Sequence, residues 1–307
     1  MKLIFAGTPD FAVLPLEKLH SAFGVAAVLT QPDRPQGRKG ILTPPPVKQA
    51  ALALGIPVLQ PESLKRDPSV LFQAGGALLV TCAYGQILTQ EVLDLYPMGV
   101  WNVHASLLPS YRGAAPIPRV IMDGCRETGV TIMKTDIGLD TGDIFLQERC
   151  PVYDEDTADA LAKRLSSLGA ELIVKAVRRI LEGDVSLTPQ GEGFVCKKVV
   201  RTQVDFAKSA REVSCLIRGL SPAPLAFGTC HGHTLNFYFA SEDRTESDAP
   251  FGTVLSATPK GGLVIKCGEG AVRVAEVQPA GGKRMSVRDF LNGNKLKEGM
   301  RFDQPVL

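Results

Sequence analysis

The chain has 307 residues, 45% hydrophobic and 21% charged, with a formal net charge of +2. That composition is globular, with room for one large or two medium domains, and excludes an extensively disordered chain. No uninterrupted apolar run reaches the ~18 residues of a membrane span.

The four-residue apolar run Leu3 to Ala6 is too short for the core of a secretory leader and reads as a first buried strand. "FAVLPLEKLHSA" carries a helical pattern with Pro15 in its first turn. "GVAAVLTQ" is a second strand, and "PPPVKQAALALG" a helix that stops at Gly55. "GALLVTCAYG", "GVWNVHAS" and "GVTIMKTD" follow as further apolar strands. Apolar strands alternating with helices predict an α/β fold built on a mostly parallel sheet, covered on both faces. In "DTADALAKRLSSLGAELIVKAVRRILEGD", Leu161, Leu165, Leu168, Leu172, Ala176 and Ile180 line one helix face, widened by Ile173, Val177 and Leu181 and ended by Gly183.

The texture then changes. Residues 184–206 are mixed and turn-rich, as a linker would be. "HTLNFYFASE", "GTVLSATPKGG", "LVIKCGEG" and "AVRVAEVQPAGG" predict short strands of a small barrel or sandwich. A helix, "SVRDFLNGN", opens on Ser286 and Asp289, spaced as a variant of the capping box. The expected organisation is therefore a first domain over 1–183, a linker over 184–206 and a second domain over 207–307.

Seven cysteines, Cys82, Cys125, Cys150, Cys196, Cys215, Cys230 and Cys267, stand singly and in odd number. They speak against a disulfide framework or a zinc site and for a reducing cytoplasm, so no metal is expected. Charge is unevenly spread. Residues 1–190 hold 18 basic and 20 acidic side chains, residues 191–307 hold 16 and 12, and Lys260 to Arg301 holds 9 against 4. A basic second domain on a near-neutral body suits a polyanionic partner as well as it suits an ordinary solvated surface.

The chemistry gathers in "WNVHASLLPSYRGAAPIP", Trp101 to Pro118. In a strand, residues i and i+2 share a face, so Asn102 and His104 project together. In open parallel sheets ligands bind beyond the carboxyl ends of the strands. "TDIGLDTGDI" then offers Asp136, Asp140 and Asp143 in a glycine-punctuated loop. An amide can donate to a developing oxyanion, an imidazole can donate or shuttle a proton, and a carboxylate can hold the imidazole's charge state. No serine or cysteine nucleophile stands in a matching motif. The set suits direct acyl transfer through a tetrahedral intermediate, with the substrate left open.

The segments "NVHASLLPSYRGAAPIP" and "ETGVTIMKTDIGLDTGDI" resemble the folate-dependent formyltransferase family. "IFAGTPDFA", "TQPDRPQGR", "AYGQIL" and "VQPAGGKRMSVRDFLNG" resemble the members of that family that act on methionyl-tRNA. The resemblance runs over nearly the whole chain. It implies a Rossmann-like formyltransferase domain followed by an OB-like β-barrel. It implies Asn102, His104 and Asp140 as catalytic residues, 10-formyltetrahydrofolate as donor and the amino group of initiator methionyl-tRNA as acceptor. The turn Ser106, Leu107, Leu108, Pro109 resembles the folate-contacting segment. A monomer in the cytoplasm is expected.

"QPDRPQGRKGILTPPP" is too polar for core and longer than the ~2–6 residues of an ordinary βα loop. The resemblance implies that Arg34, Arg38 and Lys39 in this loop meet the tRNA acceptor end. Lys283, Arg284, Arg288 and Arg301 are candidates for a basic face on the second domain. Such contacts give salt-dependent affinity rather than sequence reading. The chain departs from the family pattern at Pro118, where glutamine is usual, and at Ala223, where tryptophan is frequent. Its basic loop is poorer in lysine and its linker short.

Three other readings stand beside this one. A formyltransferase acting on glycinamide ribonucleotide or a sugar nucleotide, or a formylfolate hydrolase, would share the same trio. A nucleic-acid-binding protein would leave the trio unexplained. A dinucleotide-dependent oxidoreductase would want G-x-G-x-x-G where the first strand ends in "AGTPDF".

Overall fold

The computed structural model describes residues 1–36, 40–293 and 296–305. The chain divides into two compact units. One comprises Met1–Gly113, Thr128–Cys150 and Ala162–Cys196; the other comprises Ala114–Glu127, Pro151–Leu161 and Lys197–Leu307. Residues 184–206, expected as a linker, thus divide between the units after Cys196.

The first unit is built on a seven-stranded sheet. Its strands are β1 (Leu3–Gly7), β2 (Val25–Leu29), β3 (Val58–Leu59), β4 (Leu78–Cys82), β5 (Val100–His104), β6 (Glu127–Lys134) and β7 (Ile144–Pro151). They lie in the order β7-β6-β5-β4-β1-β2-β3. Pairings from β3 through β5 are parallel, whereas β6 runs antiparallel to β5, with Asn102 opposite Met133 and His104 opposite Thr131. The chain passes from β1 outward through β2 to β3, then returns across the sheet to β4. The reversal point lies between β1 and β4, where such sheets open a crevice at the strands' carboxyl ends.

The helices of this unit are α1 (Val13–Phe23), α2 (Pro46–Ala53), α3 (Ser69–Ala74), α4 (Gln90–Asp94) and most of α6 (Ala158–Leu181). α1 carries Pro15 in its first turn, where its missing N–H has no partner to lose. Leu161, Leu165, Leu172, Ile173, Ala176 and Val177 of α6 are buried, but Leu181, expected on the same face, is 43% exposed in the last turn. Gly169 brings α6 close to β5: a Cβ there would stand 3.0 Å from Val103 Cγ1. The strand that carries Asn102 and His104 is thereby braced from behind by packed side chains.

The second unit is β-rich. Its strands are β8 (Ala226–Cys230), β9 (His233–Asp243), β10 (Val254–Thr258), β11 (Gly262–Lys266) and β12 (Ala271–Pro279). They lie in the order β8-β9-β12-β11-β10, with Thr202–Gln203 added beside β8 and Met285–Ser286 beside β12. The chain's last described segment joins the sheet's two sides. Val254 N–H donates to Met300 O at 2.8 Å, Phe302 N–H to Gly252 O at 2.9 Å, and Asp303 N–H to Thr229 O at 2.8 Å. Those bonds curl the sheet around Phe206, Phe237 and Phe302, whose ring centroids lie 5.5–6.3 Å apart.

Helix α5 (Pro116–Met122) packs on α7 (Ala210–Gly219) in this unit, and α8 (Val287–Gly293) packs near β12. The α5–α7 contact is close because Gly219 has no side chain: a Cβ there would meet Pro118 O at 2.8 Å. α7 opens with a complete capping box, Ser209 and Glu212. Of the box expected at α8, the serine half is seen: Asp289 N–H donates to Ser286 Oγ at 3.1 Å, and Ser286 Oγ donates to Asp289 Oδ2 at 2.7 Å. Among the described residues no helix is long and apolar enough to cross a membrane.

Candidate active site

Asn102 and His104 leave the same face of β5, at the rim where the strand ends. The Asn102 amide is oriented by its two neighbours. Thr81 Oγ1, opposite it on β4, donates to Asn102 Oδ1 at 2.9 Å, and Asn102 Nδ2 donates to Asp140 Oδ1 at 3.3 Å. An ionised carboxylate only accepts, so the amide nitrogen belongs on the Asp140 side. Only one of its two N–H groups is used there.

His104 is 6% exposed. Its Nε2 lies 2.9 Å from the Tyr111 carbonyl oxygen. A carbonyl cannot donate, so Nε2 carries a proton. Its Nδ1 lies 3.5 Å from Asp140 Oδ2, an ion-pair separation rather than a tight hydrogen bond. A second proton on the ring would point at that carboxylate.

Asp140 sits between them on a loop folded for the purpose. Its φ is +53°, a left-handed conformation that aspartate adopts more readily than most residues. Gly113 N–H donates to its Oδ2 at 2.8 Å. Asp136 serves the loop itself, accepting from Gly138 N–H at 3.0 Å and Thr141 Oγ1 at 2.8 Å. Gly142 is required by space, since a Cβ there would lie 1.8 Å from Lys134 O.

Sequence reasoning missed the groups that hold this arrangement. Gln190 Nε2 donates to the backbone oxygens of Asp140, at 3.0 Å, and Gly142, at 2.5 Å. Its Oε1 accepts from Arg112 Nε at 3.1 Å and Nη2 at 2.9 Å. Val195–Cys196 then forms a short parallel ladder with Arg112–Gly113. Thr81, Tyr111, Gly113 and Gln190 lie far from Asp140 in sequence, and three of them act through backbone or toward backbone, so no residue pattern announces them.

The turn Ser106, Leu107, Leu108, Pro109 borders the same rim, with a cis peptide bond between Leu108 and Pro109. Much of its polarity is spent internally. Ser106 Oγ donates to Ser110 O at 2.7 Å, Leu108 N–H to Thr131 Oγ1 at 3.1 Å, and Gln147 Nε2 to Leu108 O at 2.8 Å. Ser106 and Leu108 are buried, so Leu107 and Pro109 provide its accessible surface.

The basic candidates are dispersed. Arg34 lies exposed on a two-stranded ladder, Arg34–Gln36 with Ile41–Thr43, whereas Arg38 and Lys39 lie outside the described residues. Asp33 anchors this loop; hydrogen bonds from Gln60 and Lys48 hold its carboxyl below the usual carboxylate range. A cleft of 810 Å³ beside Arg34 is lined by Asp33, Glu62, Ser63, Arg66 and Asp67 and shares no residue with the trio. In the second unit Lys283, Arg284, Arg288 and Arg301 are exposed. Arg284 is tied to Glu276, with Nε donating to Oε2 at 2.7 Å, and stacks 4.4 Å from the Tyr238 ring. Arg301 Nε donates to Phe251 O at 2.9 Å. Among the described residues no group of three or more His, Cys, Asp or Glu side chains could hold a metal ion.

Comparison with known proteins bears on the family and the fold. The family model described as formyl transferase matches residues 1–177, and that described as formyl transferase, C-terminal domain, matches residues 198–295. A methionyl-tRNA formyltransferase of Janthinobacterium sp. (strain Marseille) is 44% identical over 97% of this chain and 99% of its own. One of Macrococcus caseolyticus is 45% identical over 99% of each. Among solved structures, HypX from Aquifex aeolicus in complex with tetrahydrofolic acid superposes with a TM-score of 0.65 at 18% identity, over 97% of this chain and 48% of that one. That last likeness speaks to the fold. The full-length identity speaks to more: the chain belongs to the formyl transferase family, among the methionyl-tRNA formyltransferases.

Proposed function

We propose that the chain transfers the formyl group of 10-formyltetrahydrofolate to the α-amino group of initiator methionyl-tRNA, with Asn102, His104 and Asp140 as the catalytic residues. The observation that carries this reading is the meeting of the three side chains at the rim of β5, in a chain whose relatives of equal length share that activity by name. The family's folate supplies a formyl carbon already activated on nitrogen. What the rim must add is charge stabilisation and proton movement, and its donor set fits that need.

The unused N–H of Asn102 is available to the formyl oxygen as negative charge develops there. His104, protonated on both nitrogens, adds its charge beside that oxygen. Asp140 stands against Nδ1 to stabilise the imidazolium, and by accepting from Gly113 and Asn102 it is held in place to take the amine's proton through water. The thiol that shares a partner with the trio, Cys196, is buried and turned to the Tyr111 carbonyl, its Sγ 3.7 Å from that oxygen, so the amine attacks directly. Leu107 and Pro109 wall the folate side. Arg34, Arg38 and Lys39 meet the acceptor end of the tRNA, and Lys283, Arg284, Arg288 and Arg301 its body. The protein works as a cytoplasmic monomer without a metal.

The test is formyl transfer to methionyl-tRNA from 10-formyltetrahydrofolate, with Asn102→Ala, His104→Ala and Asp140→Ala beside the wild type. Labelled aminoacyl-tRNA with the wild type, and its loss in folded variants, supports the reading. Consumption of formylfolate with unmodified tRNA would move the acceptor to a small molecule.

A further inference from the structure

Three large apolar side chains stand in solvent around the trio. Leu139 is 56% exposed, Phe194 50% and Val195 54%. They come from two segments some fifty residues apart, yet they converge. A Cβ placed on Gly113 would lie 3.1 Å from Val195 Cγ1 and 3.6 Å from Leu139 Cδ2. Gly113 is the residue whose N–H donates to Asp140. Phe194 packs edge-on against Tyr111 at 4.7 Å, and the Tyr111 carbonyl accepts from His104. Each of the three is therefore one residue removed from a group that holds the reacting side chains.

We infer that Leu139, Phe194 and Val195 form the seat for the side chain of the acceptor's amino acid, an unbranched thioether. The inference rests on the acceptor proposed above. An amine held at the trio brings its own α-carbon substituent to within a few ångströms of the rim, and, apart from Leu107 and Pro109 already given to the folate, these residues are apolar surface found there. None is charged, so a long charged side chain would be desolvated without a partner. A flexible, polarisable thioether conforms to an irregular apolar surface and loses nothing on leaving water. Contacts of this kind discriminate modestly, about 10–200-fold per methylene-sized change.

The test compares kcat/KM for initiator tRNA charged with methionine and with alanine, in the wild type, Val195→Ala, Phe194→Ala and Val195→Ile. Seating predicts that the two alanine variants lose about tenfold or more on the methionyl substrate and little on the alanyl one. Val195→Ile retains the preference. The KM for 10-formyltetrahydrofolate stays unchanged throughout. Equal losses on both aminoacyl groups would overturn the inference and make the segment structural. A raised folate KM with unchanged preference would overturn it by assigning the surface to the folate. Absence of formyl-methionyl-tRNA with the wild type would instead overturn the acceptor itself, and the seat with it.

Discussion

Thr81 donates to the Asn102 side-chain oxygen at 2.9 Å across adjacent parallel strands, and so anchors from behind the amide whose nitrogen faces Asp140. Without it the amide plane is held only by its longer bond to Asp140. Thr81→Val keeps the shape and removes the donor. The expected result is a roughly 3–10-fold fall in kcat, the worth of one neutral hydrogen bond, with the folate KM unmoved. Thr81→Ser, which restores the hydroxyl, returns the rate. Steady-state kinetics of the three proteins check it.

Asn102→Ala removes the proposed oxyanion donor itself. A loss of about 10²–10³ in kcat is expected. The thermal midpoint should stay near that of the wild type, because Asn102 is only partly buried and its partners Thr81 and Asp140 keep other bonds.

Gln190 grips Asp140 and Gly142 by their backbone oxygens, fifty residues away in sequence. Gln190→Glu replaces the donor by an acceptor facing two carbonyls and should cost more activity than Gln190→Ala, about tenfold or more against a smaller loss. The deficit should lie in kcat, and the KM for tRNA should change little. An equal shift in both constants would contradict a positioning role.

The four exposed cations of the second unit are not equivalent. Arg284 is paired with Glu276, whereas no ion pair is found for Lys283 among the described residues. Lys283→Ala is expected to lower the slope of log KM for tRNA against log salt by about 1, the signature of one phosphate contact. Arg284→Ala should lower it less, since Glu276 already neutralises part of the charge that the guanidinium could offer a phosphate.

The capping box at α7 ties stability to pH. Hydrogen bonds from the Ser209 hydroxyl and then its backbone N–H hold the Glu212 carboxyl below its usual range. A depressed carboxylate contributes stability above its unfolded value and loses it as pH falls through the folded one. Ser209→Ala should therefore cost about 1 kcal/mol at neutral pH, and the deficit should shrink as Glu212 protonates in acid. Denaturant melts at neutral and acidic pH measure both.

Much of the first unit was legible because continuous apolar runs and helical spacing carry strong periods. Direction was not: the run "GVTIMKTD" in β6 is as apolar as its parallel neighbours, and nothing in it announces that it runs antiparallel to β5. α7 is marked at its start by Ser209-x-x-Glu212, but its ten residues are too few for a long periodic run. β8, five residues long, is hidden for the same reason. At the site, Asn102 and His104 could be paired from strand geometry alone, and their meeting with Asp140 followed from adjacent strands. The stretch 190–196 could not be read as part of the site. Its ladder is two residues long, and its main contacts are side chain to backbone, which leave no trace in residue order.

The parallel pairing of Val195–Cys196 with Arg112–Gly113 also orders events in time. A chain made from its amino end exposes Asn102, His104 and Asp140 well before Gln190 exists to grip the loop. A nascent protein arrested near residue 183 would carry all three proposed catalytic side chains and still lack the grip that sets them. The setting of these three side chains therefore waits for the segment ending at Cys196 to emerge, and does not grow in proportion to the length synthesised.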